Sequence, residues 1–192
     1  MQIACTVRDF GASSNGNGVP SKCIPPNCEG PAHPDFGTKS GKDNTIVTDT
    51  LGSDDKPVYA GLPSTPATTD ANSFNQWFNT DNSVNVEVRH DLTLTYDSTT
   101  SKWGYDSDDE GGFFIMDHLG YQLPSSTLIH NFHFTMECSM LFNYLAGDTF
   151  SFRGDDDVFV YINRKKAIDL GGVHGPESGN VNLNSQSSAL GI

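Results

Sequence analysis

Three consecutive carboxylates, Asp155, Asp156 and Asp157, directly precede the apolar run VFVYI at residues 158–162. Neighbouring negative charges repel one another, so a folded chain keeps them together only in open water or around a cation. A hard cation such as Ca²⁺ takes roughly 6 to 8 oxygen ligands, and adjacent aspartates can supply several of them. The residues alone leave two interpretations open, a Ca²⁺ site and a solvated polar turn after Gly154.

A glycine-rich segment, IDLGGVHGPESGNVN at residues 168–182, follows closely and carries further polar side chains. Asp169, His174 and Asn180 are candidate ligand-binding residues, because they could complete a pocket beside the aspartates. The alternative is a glycine-rich connection between strands, in which His174 only forms hydrogen bonds with the backbone.

Sequence motifs of catalysis are missing from the chain. It contains neither a G-x-S-x-G nucleophile elbow nor an H-E-x-x-H zinc motif. Adjacent aspartates suit a cation better than the separated acid and nucleophile of a glycoside hydrolase. A second acidic run, YDSDDE at residues 105–110, is interpreted as a solvated hairpin loop. We therefore expect a protein that is not an enzyme.

The charge balance restricts the partners. The 192 residues include 24 Asp and Glu against 11 Lys and Arg, a formal net charge of −13. Such a surface repels phosphate backbones, so we predict that the protein does not bind nucleic acid. No run approaches the roughly 18 to 20 apolar residues that span a bilayer, which predicts no membrane insertion.

Four cysteines allow three pairings. Cys23 and Cys28 frame the short run CIPPNC, which favours a small disulfide-closed loop over a zinc site. Cys5 and Cys138 both fall in alternating sequence, where they either join neighbouring strands or remain buried thiols. Two oxidised pairs would indicate an extracellular or otherwise surface-exposed location.

The elements that must position these residues are mainly β-strands. IACTVRDF (3–10) predicts a first strand, and residues 11–82 form a long irregular stretch in which SFNQWF predicts one helical turn capped by Ser73. Alternation of period two then predicts a hairpin around DSTTSK (97–102) and a strand along NFHFTMECSMLFNY (131–144). VFVYI, apolar on both faces, is typical of a central strand. We predict one all-β domain over residues 1–192, an antiparallel β-sandwich or jelly roll with long wrapping loops and at most short helical turns.

Several motifs, in order along the chain, resemble the fibro-slime domain. They are TVRDF, HPDF, KPVYAGLP, FNQWF, GGFFIMD, NFHFT and, above all, FSFRGDDDVFVYINRKKAIDLGGVHG. This domain is a branch of the β-sandwich superfamily named after the N-terminal domain of the anthrax protective antigen, which includes flocculins and other adhesins. The resemblance implies that Asp155 and Asp156 bind Ca²⁺, which in turn binds sugar hydroxyls. Asp157 stands where many lectin members have a glycine or another small residue.

The resemblance also implies strands beyond those of this sequence. The lectins complete their calcium shell with a second loop far downstream, and this chain stops before it. We therefore expect a domain that lacks its C-terminal strands, or one whose missing strands come from a neighbouring subunit.

Two functions follow as expectations. The first is an extracellular, Ca²⁺-dependent carbohydrate-binding or adhesion module, with glycans or partners on cell surfaces or in the matrix. The alternative is a structural assembly module, associated with the surface or capsid of a large virus or with an extracellular matrix, whose exposed strand edges pair with neighbours.

Overall fold

The computed structural model describes residues 1–11, 31–37, 39–61, 64–117, 119–121 and 130–192. The chain divides into two compact units, each formed by two segments. The first unit contains Met1–Gly37 and Asn79–Leu141, and the second contains Thr38–Phe78 and Phe142–Ile192. The single domain predicted from the sequence stays a prediction.

Strands account for most of the regular structure, which confirms the all-β prediction. The strands are β1 (Gln2–Phe10), β2 (Gly41–Lys42), β3 (Asn85–Thr93), β4 (Thr95–Asp97), β5 (Lys102–Gly104), β6 (Phe134–Cys138), β7 (Thr149–Gly154), β8 (Val158–Ile162), β9 (Lys165–Leu170), β10 (Gly172–Val173) and β11 (Glu177–Asn182). The helices are α1 (Ala71–Phe78), α2 (Leu183–Leu190) and a 3₁₀ turn at Ser107–Glu110. None of the helices in the described ranges is long and apolar enough to cross a membrane.

The first unit is built on a three-stranded antiparallel sheet of order β3-β1-β6. β1 is its central strand, and the consecutive residues from Val7 to Phe10 are all buried, so both faces of this part of the strand are covered. Cys5 lies directly opposite Cys138 in the β1-β6 register, and the two form a disulfide with a Cα–Cα distance of 4.2 Å. The cross-strand alternative for this cysteine pair is therefore the one that the structure adopts. Cys23 and Cys28 lie outside the described residues.

A buried polar network joins β1 to the segments around residues 120 and 131. Asp9 is fully buried, and its carboxylate accepts hydrogen bonds from the backbone N–H of Tyr121 and from Asn131 Nδ2, the latter at 2.7 Å. Gly120 lies so close to this carboxylate that a Cβ atom would collide with it. Burial raises the pKa of Asp9 to about 7, although hydrogen bonds from Tyr121, Asn131 and Phe10 act in the opposite direction.

The second unit contains three two-stranded antiparallel sheets, β7-β11, β8-β9 and β2-β10. Strands β8, β9 and β11 and helix α2 bury one apolar cluster of Ile162, Ile168, Leu170, Val181, Leu183 and Leu190. A Cβ atom at Gly179 of β11 would lie 2.5 Å from Cγ2 of Ile168, so the absence of a side chain allows β9 and β11 to approach closely. β8 pairs with β9 alone among the described strands, so the central position expected of VFVYI and the sandwich arrangement both stay predictions.

Two local predictions are corrected. SFNQWF belongs to a helix of about two turns rather than one. Asp70 caps it, since its Oδ1 accepts from Ser73 N at 2.8 Å, while Ser73 lies inside the helix and Ser73 Oγ accepts from Asp70 N at 3.1 Å. β6 ends at Cys138 instead of continuing to Tyr144, because no described strand pairs with residues 139–144.

Candidate functional site

The three aspartates form the connection between β7 and β8. β7 ends at Gly154 and β8 begins at Val158, so the carboxylates occupy the whole turn. Asp155 and Asp156 are exposed, whereas Asp157 is half-buried. Asp156 has a φ of 57°, a left-handed conformation that aspartate tolerates better than most residues with a side chain.

Asp157 is turned inward and anchors the loop. Its Oδ1 accepts a hydrogen bond from the backbone N–H of Gly172 at 2.5 Å. Gly172 has a φ of 94°, and a side chain there would collide with Asp43 N and Gly41 O, so only glycine fits. The pKa of Asp157 is raised to about 6, mainly by burial. The charge of Asp156 also raises this pKa, whereas the hydrogen bond from Gly172 lowers it. Asp157 is thus a positioning residue of the loop.

Asp156 is partly withdrawn from water beside a like charge. Burial is the main cause that raises the pKa of its carboxyl, and the negative charge of Asp155 adds to it. A hydrogen bond from the backbone of His174 and the charge of that ring act in the opposite direction. The ionised loop is therefore electrostatically costly, and a bound cation would remove that cost.

His174 directs both ring nitrogens at backbone carbonyls. Nδ1 lies 2.7 Å from Gly175 O and Nε2 lies 3.1 Å from Leu170 O. Both can be hydrogen bonds only if the ring carries two protons, which is the imidazolium form. Burial lowers the pKa of His174, but these two hydrogen bonds and the charges of Glu177 and Asp156 outweigh burial and raise it. Because both ring nitrogens are directed at carbonyl oxygens, neither is available to a metal ion in this conformation.

Asp169 takes part in a separate ion pair. Its Oδ2 lies 2.8 Å from Lys166 Nζ, which also lies 3.2 Å from Asp49 Oδ1. In the β8-β9 register Asp169 faces Phe159, two residues into the strand from the loop. Its Oδ1 is buried and has no hydrogen-bond partner among the described residues. The sequence predicted that Asp169 lies beside the aspartates. In the structure its carboxylate instead forms an ion pair with Lys166.

Asn180 lies farther from the loop. In the β7-β11 register Glu177 faces Gly154, and Asn180 faces Ser151 three residues along the strand. At about 3.4 Å per residue, this places Asn180 roughly 10 Å from the level of the loop. Its side chain is exposed. Of the three candidate ligand-binding residues, only His174 directly contacts the aspartate loop, through a backbone hydrogen bond to Asp156.

Sequence reasoning missed one charged neighbour of the site. Lys42 Nζ lies 2.6 Å from Glu177 Oε2, which ties β2 to the first residue of β11. The two residues are 135 positions apart, and no local pattern links them. The paired glycines were the usable signal, because the positive φ of Gly172 and the close approach of Asp43 O to Gly171 accompany the pairing of β10 with β2.

The described residues contain no group of three or more His, Cys, Asp or Glu side chains arranged to hold a metal ion. Asp155 and Asp156 remain as two exposed carboxylates, since Asp157 is engaged with Gly172. Two carboxylates fit part of a Ca²⁺ shell, whose other oxygens would come from water or from hydroxyls of a ligand.

The chain is similar to three proteins of Dictyostelium discoideum over most of its length. It is 35% identical to Protein psiQ over 150 residues, which are 72% of this chain and 15% of psiQ. The values for Protein psiR are 35% over 166 residues, 79% of this chain and 16% of psiR. Protein psiD is 36% identical over 161 residues, 76% of this chain and 31% of psiD. No protein-family model and no solved structure matches the chain. The chain thus spans less than a third of each of these relatives.

Proposed function

We propose that this chain is an extracellular, non-enzymatic module of the fibro-slime type that binds Ca²⁺ and carbohydrate at the Asp155–Asp156 loop. The proposal rests on the different environments of the three adjacent carboxylates. Asp157 is bonded inward to Gly172, while Asp155 and Asp156 are left exposed on the same turn. A turn that served only solubility would not require a half-buried carboxylate to fix its shape.

The electrostatics of the aspartate loop favours the binding of a cation. The pKa values of Asp156 and Asp157 are both raised, mainly by burial, so their ionised forms are less stable here than in water. A divalent ion at the exposed pair would reverse this effect. Because the loop offers two exposed carboxylates, we expect a weak site with a dissociation constant of about 0.1–1 mM, the range of extracellular calcium modules.

The disulfide supports an extracellular location. Cys5 and Cys138 are bonded across neighbouring strands. Such bonds persist in oxidising compartments and are rare in the cytosol.

Calcium titration by calorimetry tests the metal site. Asp155→Asn/Asp156→Asn should abolish the heat of Ca²⁺ binding, because it removes both exposed carboxylates. The matched control is Asp108→Asn/Asp109→Asn, which changes the net charge equally in the exposed acidic run and should leave the isotherm unchanged. An unaltered isotherm in the first variant, or its loss in the control, would contradict the proposed site.

Carbohydrate binding needs its own measurement. The wild-type protein should bind oligosaccharides on a glycan array in Ca²⁺, and the Asp155→Asn/Asp156→Asn variant should lose that binding. If Ca²⁺ binds and no array sugar responds to it, the carbohydrate part of the proposal fails while the metal site stands.

An assembly role is the second candidate, and exposed apolar side chains favour it. In the second unit, Leu145 is 68% exposed and Phe142, three residues before it, is 47% exposed. Exposed apolar residues close together in the chain are typical of contact surfaces. Sedimentation at increasing concentration should reveal self-association that Phe142→Ser/Leu145→Ser weakens. A monomer at every concentration would argue against this role.

A further inference from the structure

A pair of aromatic rings is exposed on the β4-β5 hairpin of the first unit. Tyr96 on β4 lies directly opposite Trp103 on β5, so both side chains are on the same face. Their ring centroids are 5.2 Å apart at an interplanar angle of 49°. Tyr96 is 48% exposed and Trp103 is 51% exposed, whereas the other tryptophan of the chain, Trp77, is only 5% exposed. The two rings form what we call the aromatic platform.

The turn beneath the aromatic platform is fixed by its own hydrogen bonds. The carboxylate of Asp97 accepts from Thr99 N at 2.8 Å and from Thr100 Oγ1 at 2.7 Å. Ser101 completes the turn with a φ of 57°. A ligand that stacks on the rings therefore meets a surface that is already ordered, which lowers the entropic cost of binding.

The size of the platform indicates a small ligand. Full burial of an aromatic side chain removes about 150–250 Å² from water, so two half-exposed rings offer roughly 200 Å². A stable protein interface needs about 800 Å² on each partner. All residues of β4 and β5 around the two rings are exposed, and the others are polar or glycine. The aromatic platform thus matches one or two rings of a ligand rather than a protein surface.

The chemistry of the surroundings selects among ring-shaped ligands. Nucleobases stack on aromatic side chains, but proteins that bind them add a positively charged groove. Here Lys102 is the single basic residue of segment 95–104, and the chain has a net charge of −13. The turn instead carries four exposed hydroxyl side chains, Ser98, Thr99, Thr100 and Ser101. Hydroxyls beside an aromatic face suit a pyranose, which has an apolar C–H face and polar edges.

We propose that the aromatic platform of Tyr96 and Trp103 binds a pyranose ring of a neutral oligosaccharide by stacking, without Ca²⁺. The C–H groups of the sugar face the negative faces of the rings, and the turn hydroxyls form hydrogen bonds with its edge. This site does not depend on the aspartate loop.

Tryptophan quenching by acrylamide in EDTA tests the proposal directly. The probes are hexamers of glucose, of N-acetylglucosamine and of mannose. Since Trp77 is buried, quenching reports mainly on Trp103, and at least one hexamer should protect it in a saturable manner. If none of the three hexamers protects Trp103 at millimolar concentration, the proposal is overturned.

Variants distinguish stacking on the aromatic platform from non-specific binding to exposed rings. By calorimetry in EDTA, Trp103→Ala should abolish binding of the protecting hexamer, and Tyr96→Ala should weaken it about tenfold. The matched control is Phe132→Ala, which removes another half-exposed ring of the first unit and should change nothing. Circular dichroism should be unchanged in all three variants, because each side chain is largely on the surface. Equal weakening by Phe132→Ala would overturn the proposal.

The same variants distinguish this site from the proposed calcium site. Sugar binding that persists in EDTA and in Asp155→Asn/Asp156→Asn, but is lost in Trp103→Ala, supports the aromatic platform even if the calcium proposal fails. Binding that requires Ca²⁺ and the aspartates, and is unaffected by Trp103→Ala, overturns the aromatic platform and leaves the calcium proposal intact.

Discussion

Raising the pH from 5 to 8 should destabilise this protein through the buried carboxyl of Asp9. Its pKa rises from 3.8 to about 7 on folding, so the folded state binds a proton more tightly than the unfolded state. A group with a raised folded pKa contributes stability below its unfolded pKa and loses it as the pH rises through the folded pKa. At about 1.4 kcal/mol per pH unit, this loss totals about 4 kcal/mol, of which about 3 kcal/mol falls between pH 5 and 8.

Urea denaturation at pH 5, 6, 7 and 8 measures this loss. Asp9→Asn keeps the shape of the side chain but cannot titrate, so its free energy of unfolding should fall less steeply with pH than that of the wild type. The variant will be less stable overall, because its amide group meets the N–H of Tyr121 and Nδ2 of Asn131. The informative quantity is therefore the difference in slope. Equal slopes would refute the reasoning and show that the N–H donors around Asp9 keep its carboxylate ionised at low pH.

Three further predictions concern stability. Removing the disulfide with Cys5→Ala/Cys138→Ala should lower the free energy of unfolding in urea denaturation by about 2–5 kcal/mol, because the bond closes a loop with a sequence separation of 133; an unchanged free energy of unfolding would contradict this expectation. Gly179→Ala should cost about 1–3 kcal/mol by thermal denaturation, because its methyl group would lie 2.5 Å from Ile168, whereas Gly175→Ala, with nothing within 4 Å, should cost less. Asp70→Ala should cost about 1 kcal/mol by removing the cap of α1, and an unchanged melting temperature would show that packing alone holds this helix.

Short apolar runs bounded by turn residues were predictable as strands. The predicted strands 3–10 and 158–162 correspond closely to β1 and β8. Alternation of period two overextended β6 to Tyr144, because alternation indicates a preference for the strand conformation, whereas the hydrogen bonds of a strand depend on a partner strand. Helix α1 was underestimated because its cap, Asp70, lies outside the apolar motif that drew attention to it.

The candidate site, too, could be predicted from the sequence only in part. Local sequence placed the three aspartates in one turn, which the structure bears out. The inward bond of Asp157 to Gly172 depends on the pairing of β10 with β2, more than 120 residues away, and no local pattern contains it. The exposure of Tyr96 and Trp103 was equally hidden, because the sequence predicted a hairpin around residues 97–102 but not which of its side chains stay exposed.

The two proposed sites would bind their ligands through different physical forces, so they should respond differently to calcium and to salt. The aspartate loop attracts a cation through charge, so added salt should weaken it by screening. The aromatic platform acts through apolar area and dispersion, which salt does not screen and which salts such as sulfate strengthen. A module with both sites would therefore keep some affinity for sugar when calcium or ionic strength changes. A module with the loop alone would release its ligand whenever calcium falls below about 0.1–1 mM.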